Sequence, residues 1–455
     1  MVRGDKPGQT RFFLGVVVVS FGAAAFSLAL RSSLSAVAWL VAGASDIVAA
    51  MHLLPFGLRV GLPVVGGLLA GLTAVLAARG AGSQGVGDVM EAIILGRVRL
   101  SMRVTLLKSL GSWFAIATGG SVGREGPLIQ FGGALGSFAA ERLGLDEKSM
   151  KLLIAAGAAA GFAAAYNTPL AAILFVLEVV TGVFVLDAIV PSLIAAAIAT
   201  ALTRVVAGDE PLYGHRTFAL SAPPDLVAYA LLGVVCALTA RAFMRLLALG
   251  EDLFHRESLP LPWRAGLGGL ITGLIVAMVP EVAGNGYEPL KAVLDGRFAA
   301  SFLVLLFVTK ALATTSSVAS GSPGGVFTPS MLMGGCIGSL YGHAVVGLLG
   351  ASLGSVGSYA LVGMAAAVAA STHAPLMAAV LAFEVSGDYA VVLPLAVATA
   401  VAAAVSRGMN AESIYTAELK EKGLAWDVTL EGGRNVRRTE ARPPAEADSP
   451  ADPPK

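Results

Sequence analysis

Between Phe12 and Val405 the sequence is a succession of apolar runs, many of them close to the roughly 17–25 residues that a helix needs to cross a bilayer. No other feature constrains the fold as tightly. In hydrocarbon every backbone N–H and C=O must find its partner inside the protein, which leaves helices and closed barrels. The reading is an all-α polytopic membrane protein. Composition agrees: 56% of the 455 residues are hydrophobic and 13% charged, against about 25% charged in a soluble domain. The first run is too long for a signal-peptide core and is read as a retained helix. The arm before it, residues 1–11, sets Arg3, Lys6 and Arg11 against Asp5, which predicts a cytoplasmic N-terminus. A net charge of +1 gives no sign of a nucleic-acid partner. Cys236 and Cys336 lie in apolar runs, and His52, His215, His255, His343 and His373 show no ligand spacing. No disulfide, metal or other cofactor is therefore expected.

Within this apolar sequence, Gly120-Ser121-Val122-Gly123-Arg124-Glu125-Gly126-Pro127 places a carboxylate and a guanidinium side by side. Its glycines leave backbone amides uncovered, and Pro127 suits the first turn of a helix running to about Arg142. A helix start offers unsatisfied N–H groups and partial positive charge, which is what an anion needs where water is scarce. Ionisable residues at membrane depth mark functional sites by default. The segment therefore predicts an anion site.

The pattern also repeats. Pro169-Leu170 and Glu178-Val179 recur 206 residues later as Pro375-Leu376 and Glu384-Val385. Pro127, Gly132, Gly133, Gly136 and Ser137 recur 202 later as Pro329, Gly334, Gly335, Gly338 and Ser339. Half-repeats of about 12–207 and 225–407 follow, joined by the polar, proline-bearing segment 208–225. Such repeats in transporters form pseudo-symmetric pairs with broken helices meeting at the midplane. Four proline-started helices, at Pro127, Pro169, Pro329 and Pro375, are expected to converge on one central site. Residues 421–455, rich in Glu, Arg, Pro and Asp, are expected to be a disordered tail.

Taken together, these segments resemble the CLC chloride channel and transporter family, in its prokaryotic type without C-terminal nucleotide-sensing (CBS) domains. Gly123-Arg124-Glu125-Gly126-Pro127 is similar to the family's second selectivity motif, including its gating glutamate. Gly325-Val326-Phe327-Thr328-Pro329 is similar to the third motif, and Ser413-Ile414-Tyr415 to the segment carrying the pore tyrosine. The resemblance covers about residues 10–420. It implies a CLC fold with two inverted-topology half-repeats, a transmembrane domain over 12–420, a homodimer with one pore per subunit, and a multi-pass place in a bacterial inner membrane. Chloride or another small anion is the implied transported ligand. Glu125 is the implied gate, and Gly123, Arg124, Gly126, Val326, Phe327 and Tyr415 the implied anion-binding residues. In the first motif, Gly82-Ser83-Gln84-Gly85-Val86-Gly87-Asp88 departs from the family pattern and puts Gln84, or in another register Ser83, at the coordinating position. Val179 stands where the family's exchangers carry an inner proton-transferring glutamate. This favours a passive gated channel, with chloride/proton antiport as the alternative and a membrane-embedded enzyme as a remote third reading. Ordinary roles compete at each position: an Arg124–Glu125 ion pair, packing for Phe327, interfacial anchoring for Tyr415. Glu178 and Glu384 are read as satisfying backbone amides.

Overall fold

Polar caps such as Asp46, Ser101, Asp146 and Ser355, and first-turn prolines such as Pro169 and Pro375, set several of the helix starts. The computed structural model describes residues 6–81, 85–95, 99–182, 185–218, 225–256, 259–349, 355–421, 424–428 and 434–438. The first half holds α1 (Lys6–Ala42), α2 (Ile47–Leu53), α3 (Phe56–Ala81), α4 (Val86–Leu95), α5 (Met102–Ala117), α6 (Glu125–Arg142), α7 (Glu147–Tyr166), α8 (Pro169–Leu174) and α9 (Leu186–Ala207). The second holds α10 (Asp225–Arg256), α11 (Leu261–Met278), α12 (Tyr287–Leu294), α13 (Ala300–Ala319), α14 (Phe327–Leu349), α15 (Val356–Thr372), α16 (Pro375–Ser386) and α17 (Val392–Met409). A last helix, α18 (Ile414–Glu421), carries Tyr415. Apart from α2, the helices of one half correspond in order to those of the other. Among the described residues, nine helical stretches are long and apolar enough to cross a membrane. Their outer faces expose large apolar side chains, Leu186 at 76% and Leu348 at 83%, as lipid contact requires. This is a multi-pass membrane protein.

The centre of each half is an alanine-rich helix: every residue of α7 from Leu153 to Tyr166 and of α15 from Ser358 to Thr372 is buried. Small side chains let neighbouring backbones touch. A β-carbon on Gly132 of α6 would collide with the Gly157 carbonyl of α7, and one on Gly334 of α14 would collide with the Gly363 carbonyl of α15. Both helices end in a left-handed residue, Asn167 at φ 62° and His373 at φ 58°, just before the proline-started α8 and α16. Asn and His tolerate that conformation better than most residues. The duplication read from sequence thus extends to individual backbone angles.

Two expectations need correction. Part of the tail expected to be disordered forms an antiparallel pair, β1 (Leu424–Val428) with β2 (Arg434–Arg438), Leu424 opposite Arg438. Composition alone hid the period-two alternation of Leu424, Trp426 and Val428. The four proline-started helices also do not share one site. The Glu178 carboxylate accepts from the N–H groups of Leu376 (3.2 Å) and Met377 (2.7 Å) at the start of α16. Glu384 accepts from Leu170 (3.0 Å) and Ala171 (2.8 Å) at the start of α8. Each half caps the other's helix with an equivalent residue, as a two-fold axis between inverted halves demands. The reading of both glutamates as backbone partners holds.

Candidate functional site

The remaining two proline-started helices, α6 and α14, meet where the sequence places its motifs. Gly123 N–H donates to Gly325 O at 2.6 Å, and Gly325 N–H donates back to Gly123 O at 2.8 Å. These repeat-equivalent residues form an antiparallel bridge that pins the starts of α6 and α14 together. The Gly123 N–H, expected to face an anion, is spent on this bridge. Gly126, Val326 and Phe327 keep first-turn N–H groups, for which a helix has no internal acceptor.

Those residues line a cavity of about 650 Å³ that also touches Pro127, Gln130 and Tyr415. Arg124, one residue earlier, lines a different cavity of about 280 Å³, together with Arg31, Asp46, Asn285, Tyr287 and Glu288. Glu125 lies between the two and lines neither; it is 1% exposed. The two residue steps from Arg124 to Gly126 therefore pass from one cavity to the other by way of a buried carboxylate.

Glu125 is held by hydroxyls rather than by a cation. Thr328 Oγ1 donates to its Oε1, and the Tyr166 hydroxyl lies 3.0 Å from the same Thr328 oxygen. Its Oε2 folds back towards Gly123, where a β-carbon would collide with it, and has no hydrogen-bond partner among the described residues. Arg124 turns away, with its guanidinium 4.6 Å from the centre of the Tyr287 ring. The simple Arg124–Glu125 pair is thus replaced by a cation–π contact. Phe327 packs against Phe162 and Tyr166 at centroid distances of 5.8 and 5.7 Å, while still forming cavity wall. Tyr415 sits edge-on to Phe175 at 6.3 Å, in the wall of the larger cavity rather than at a lipid interface.

Structure thus brings together Glu125, Gly126, Val326, Phe327 and Tyr415, and sets Arg124 on the opposite side. Ser83 and Gln84 lie outside the described residues. Val179 is buried on a π-helical turn, Phe175–Val180, that continues α8. Such turns insert one residue into the ladder and are frequent at functional sites. Sequence reasoning missed Thr328 and Tyr166. Thr328 was in view inside the third motif, at a position whose chemistry the motif leaves open. Tyr166 gave no signal beyond its place before a helix end. It also missed Lys310 of α13, fully buried, whose ammonium donates to Val282 O and Gly284 O at 2.9 Å each. Gly284 lines the smaller cavity, so Lys310 fixes part of its wall.

Comparison with known proteins fits this geometry. The family model described as "Voltage gated chloride channel" matches residues 65–407. A ClcB-like chloride channel protein of Ralstonia nicotianae is 36% identical over 398 residues, covering 86% of this chain and 93% of its own. A voltage-gated ClC-type chloride channel ClcB of Escherichia coli O81 is 34% identical over 402 residues, covering 86% of this chain and 95% of its own. Among solved structures, a slow cyanobacterial Cl−/H+ antiporter superposes with a TM-score of 0.82 at 24% identity, covering 90% of this chain and 98% of its own. A CLC-type fluoride/proton antiporter gives 0.72 at 23% identity, covering 90% and 97%. The structural likeness establishes the fold, and the matched sequence establishes the lineage: this chain belongs to the voltage-gated chloride channel, or CLC, family, whose members are channels and transporters rather than enzymes.

Proposed function

We propose that this protein conducts chloride passively across a bacterial inner membrane, through a pathway that joins the two cavities and is gated by Glu125. The observation that carries the reading is the buried Glu125 carboxylate between cavities lined by its two chain neighbours. A chloride ion in a low-dielectric interior needs donors that hold it without trapping it. The N–H groups of Gly126, Val326 and Phe327 and the Tyr415 hydroxyl supply neutral donors on one side, with Arg124 a cationic approach on the other. Glu125 is itself an anion, and chloride passes when the carboxylate swings aside. Arg97, Arg99, Arg103 and Lys108 form a basic cluster in the sequence before and along the start of α5, which the positive-inside rule reads as cytoplasmic; because Lys108 lines the larger cavity, we take that cavity as the inner one.

Passive conduction is favoured over exchange because the inner proton-carrying position is Val179, and because neighbouring Glu178 is committed to the N–H groups of α16. The relatives' names say channel, whereas the antiporter likeness carries the fold alone. The deciding experiment is chloride efflux from proteoliposomes with proton movement recorded simultaneously, for wild type and Glu125→Ala. Chloride moving down its gradient with no proton uptake is expected. Uphill proton movement driven by chloride, abolished in the variant, would instead establish exchange. The homodimer implied by the resemblance belongs to the same proposal and is checked by native mass spectrometry.

A further inference from the structure

The larger cavity is lined by two carboxylates that no motif accounts for, Glu251 and Glu418. Glu418 lies three residues after Tyr415 on α18, so both side chains fall on one face of that helix. Both line the cavity that leads to Gly126 and Phe327. The Glu418 carboxylate rests on the first turn of α4. A β-carbon on Gly87 would stand 3.0 Å from Oε1 and 3.1 Å from Oε2, and one on Gly85 would stand 3.2 Å from Oε1. A side chain at either position would make the carboxylate give by a few tenths of an ångström. The start of α4 carries partial positive charge. Asp88, on that same turn, accepts from the Gly85 N–H, so the helix start already holds negative charge from its own residues. Lys108, Arg264 and His255 line the same cavity, as does Glu251.

Resting on the pathway reading above, we propose that Glu418 is a second tethered anion, seated at the start of α4 on the inner side, which chloride must displace to reach Tyr415 and the donors of α6 and α14. The pathway then carries a carboxylate at each end of its donor set, Glu125 beyond Gly126 and Glu418 before Tyr415. A bound chloride between them competes with two fixed charges rather than one. Entry from the larger cavity is thereby made to depend on chloride concentration there.

Efflux from proteoliposomes measured against chloride concentration, with thermal melting of each purified protein, tests this for wild type, Glu418→Gln and Glu125→Gln. In Glu418→Gln the half-saturating chloride concentration is expected to fall roughly tenfold, with maximal efflux undiminished. A folded Glu418→Gln protein with the wild-type half-saturating concentration, or a higher one, overturns the proposal. Should that variant fail to fold, Glu418→Asp withdraws the carboxylate by one methylene, and the concentration should fall by a smaller factor. No fall in a folded Glu418→Asp protein overturns the proposal equally. If wild type conducts and Glu125→Gln alters conduction while the Glu418 variants do not, only the second tethered anion is lost. Absence of chloride efflux from wild type removes the pathway reading and this proposal together.

Discussion

Four repeat-related helices, α6, α8, α14 and α16, carry a proline in their first turn, and they divide into two kinds. At α8 and α16 a glutamate from the opposite half accepts from two first-turn N–H groups and closes the helix end. At α6 and α14 the equivalent N–H groups face a cavity, and the nearby carboxylate is held by a threonine hydroxyl. The local sequence device is the same in each case. What differs is whether a carboxylate from the opposite half accepts from the helix end, or the nearby carboxylate is α6's own and is held by a hydroxyl of the opposite half. A permanent charge-assisted cap builds structure, and under the proposed function a carboxylate that leaves opens a pathway.

The sharpest way to break this contrast is to remove a permanent cap. Glu178→Ala or Glu384→Ala leaves two first-turn N–H groups without an acceptor and should cost about 3 kcal/mol of stability, read by thermal melting in detergent. Conduction per folded molecule should be unchanged. An increase in conduction with an unaltered melt would erase the distinction between the two kinds of helix end. Glu125→Gln should do the reverse, raising efflux at low chloride by about tenfold while shifting the melt little. Thr328→Val keeps the shape and removes the hydroxyl that holds Glu125. It should raise efflux at low chloride by up to about tenfold, since a hydrogen bond to a charged carboxylate, worth about 1.5 kcal/mol, is lost. The smallest effect belongs to Tyr166→Phe, which touches Glu125 only through Thr328. A change below about twofold is expected, measured by the same efflux assay. If Tyr166→Phe exceeded Thr328→Val, the hydroxyls would have to be reordered around Glu125.

Much of this was legible in the sequence because the membrane narrows the choices. The apolar runs fixed helices, the Pro, Gly and Glu offsets fixed the duplication, and the motifs brought Glu125, Phe327 and Tyr415 to one place. The fate of each helix end was not legible, because it depends on which residue of the other half stands opposite it. Gly123 illustrates the limit. Its type promised a free amide, and only the pairing with Gly325 shows the amide in use. Arg124 illustrates another: it was read as a chemical partner of its neighbour Glu125, yet it faces Tyr287 in one cavity while Glu125 is buried and Gly126 lines the other. The strands at Leu424–Val428 and Arg434–Arg438 escaped because composition was weighed there and alternation was not.

The reciprocal glutamate caps have a consequence for the fold as a whole. Residue i of one half meets residue j of the other, and j of the first meets i of the second, which is the self-complementarity of a symmetric dimer interface. Either half alone carries both the carboxylate and the helix end that such a carboxylate closes. Two copies of one half could complete each other through the same contacts that the single chain now makes within itself. Covalent linkage frees the halves from that identity. One copy can keep Glu125 at its bridge while the other presents Thr328 to it, and an asymmetric gate can stand on a symmetric frame.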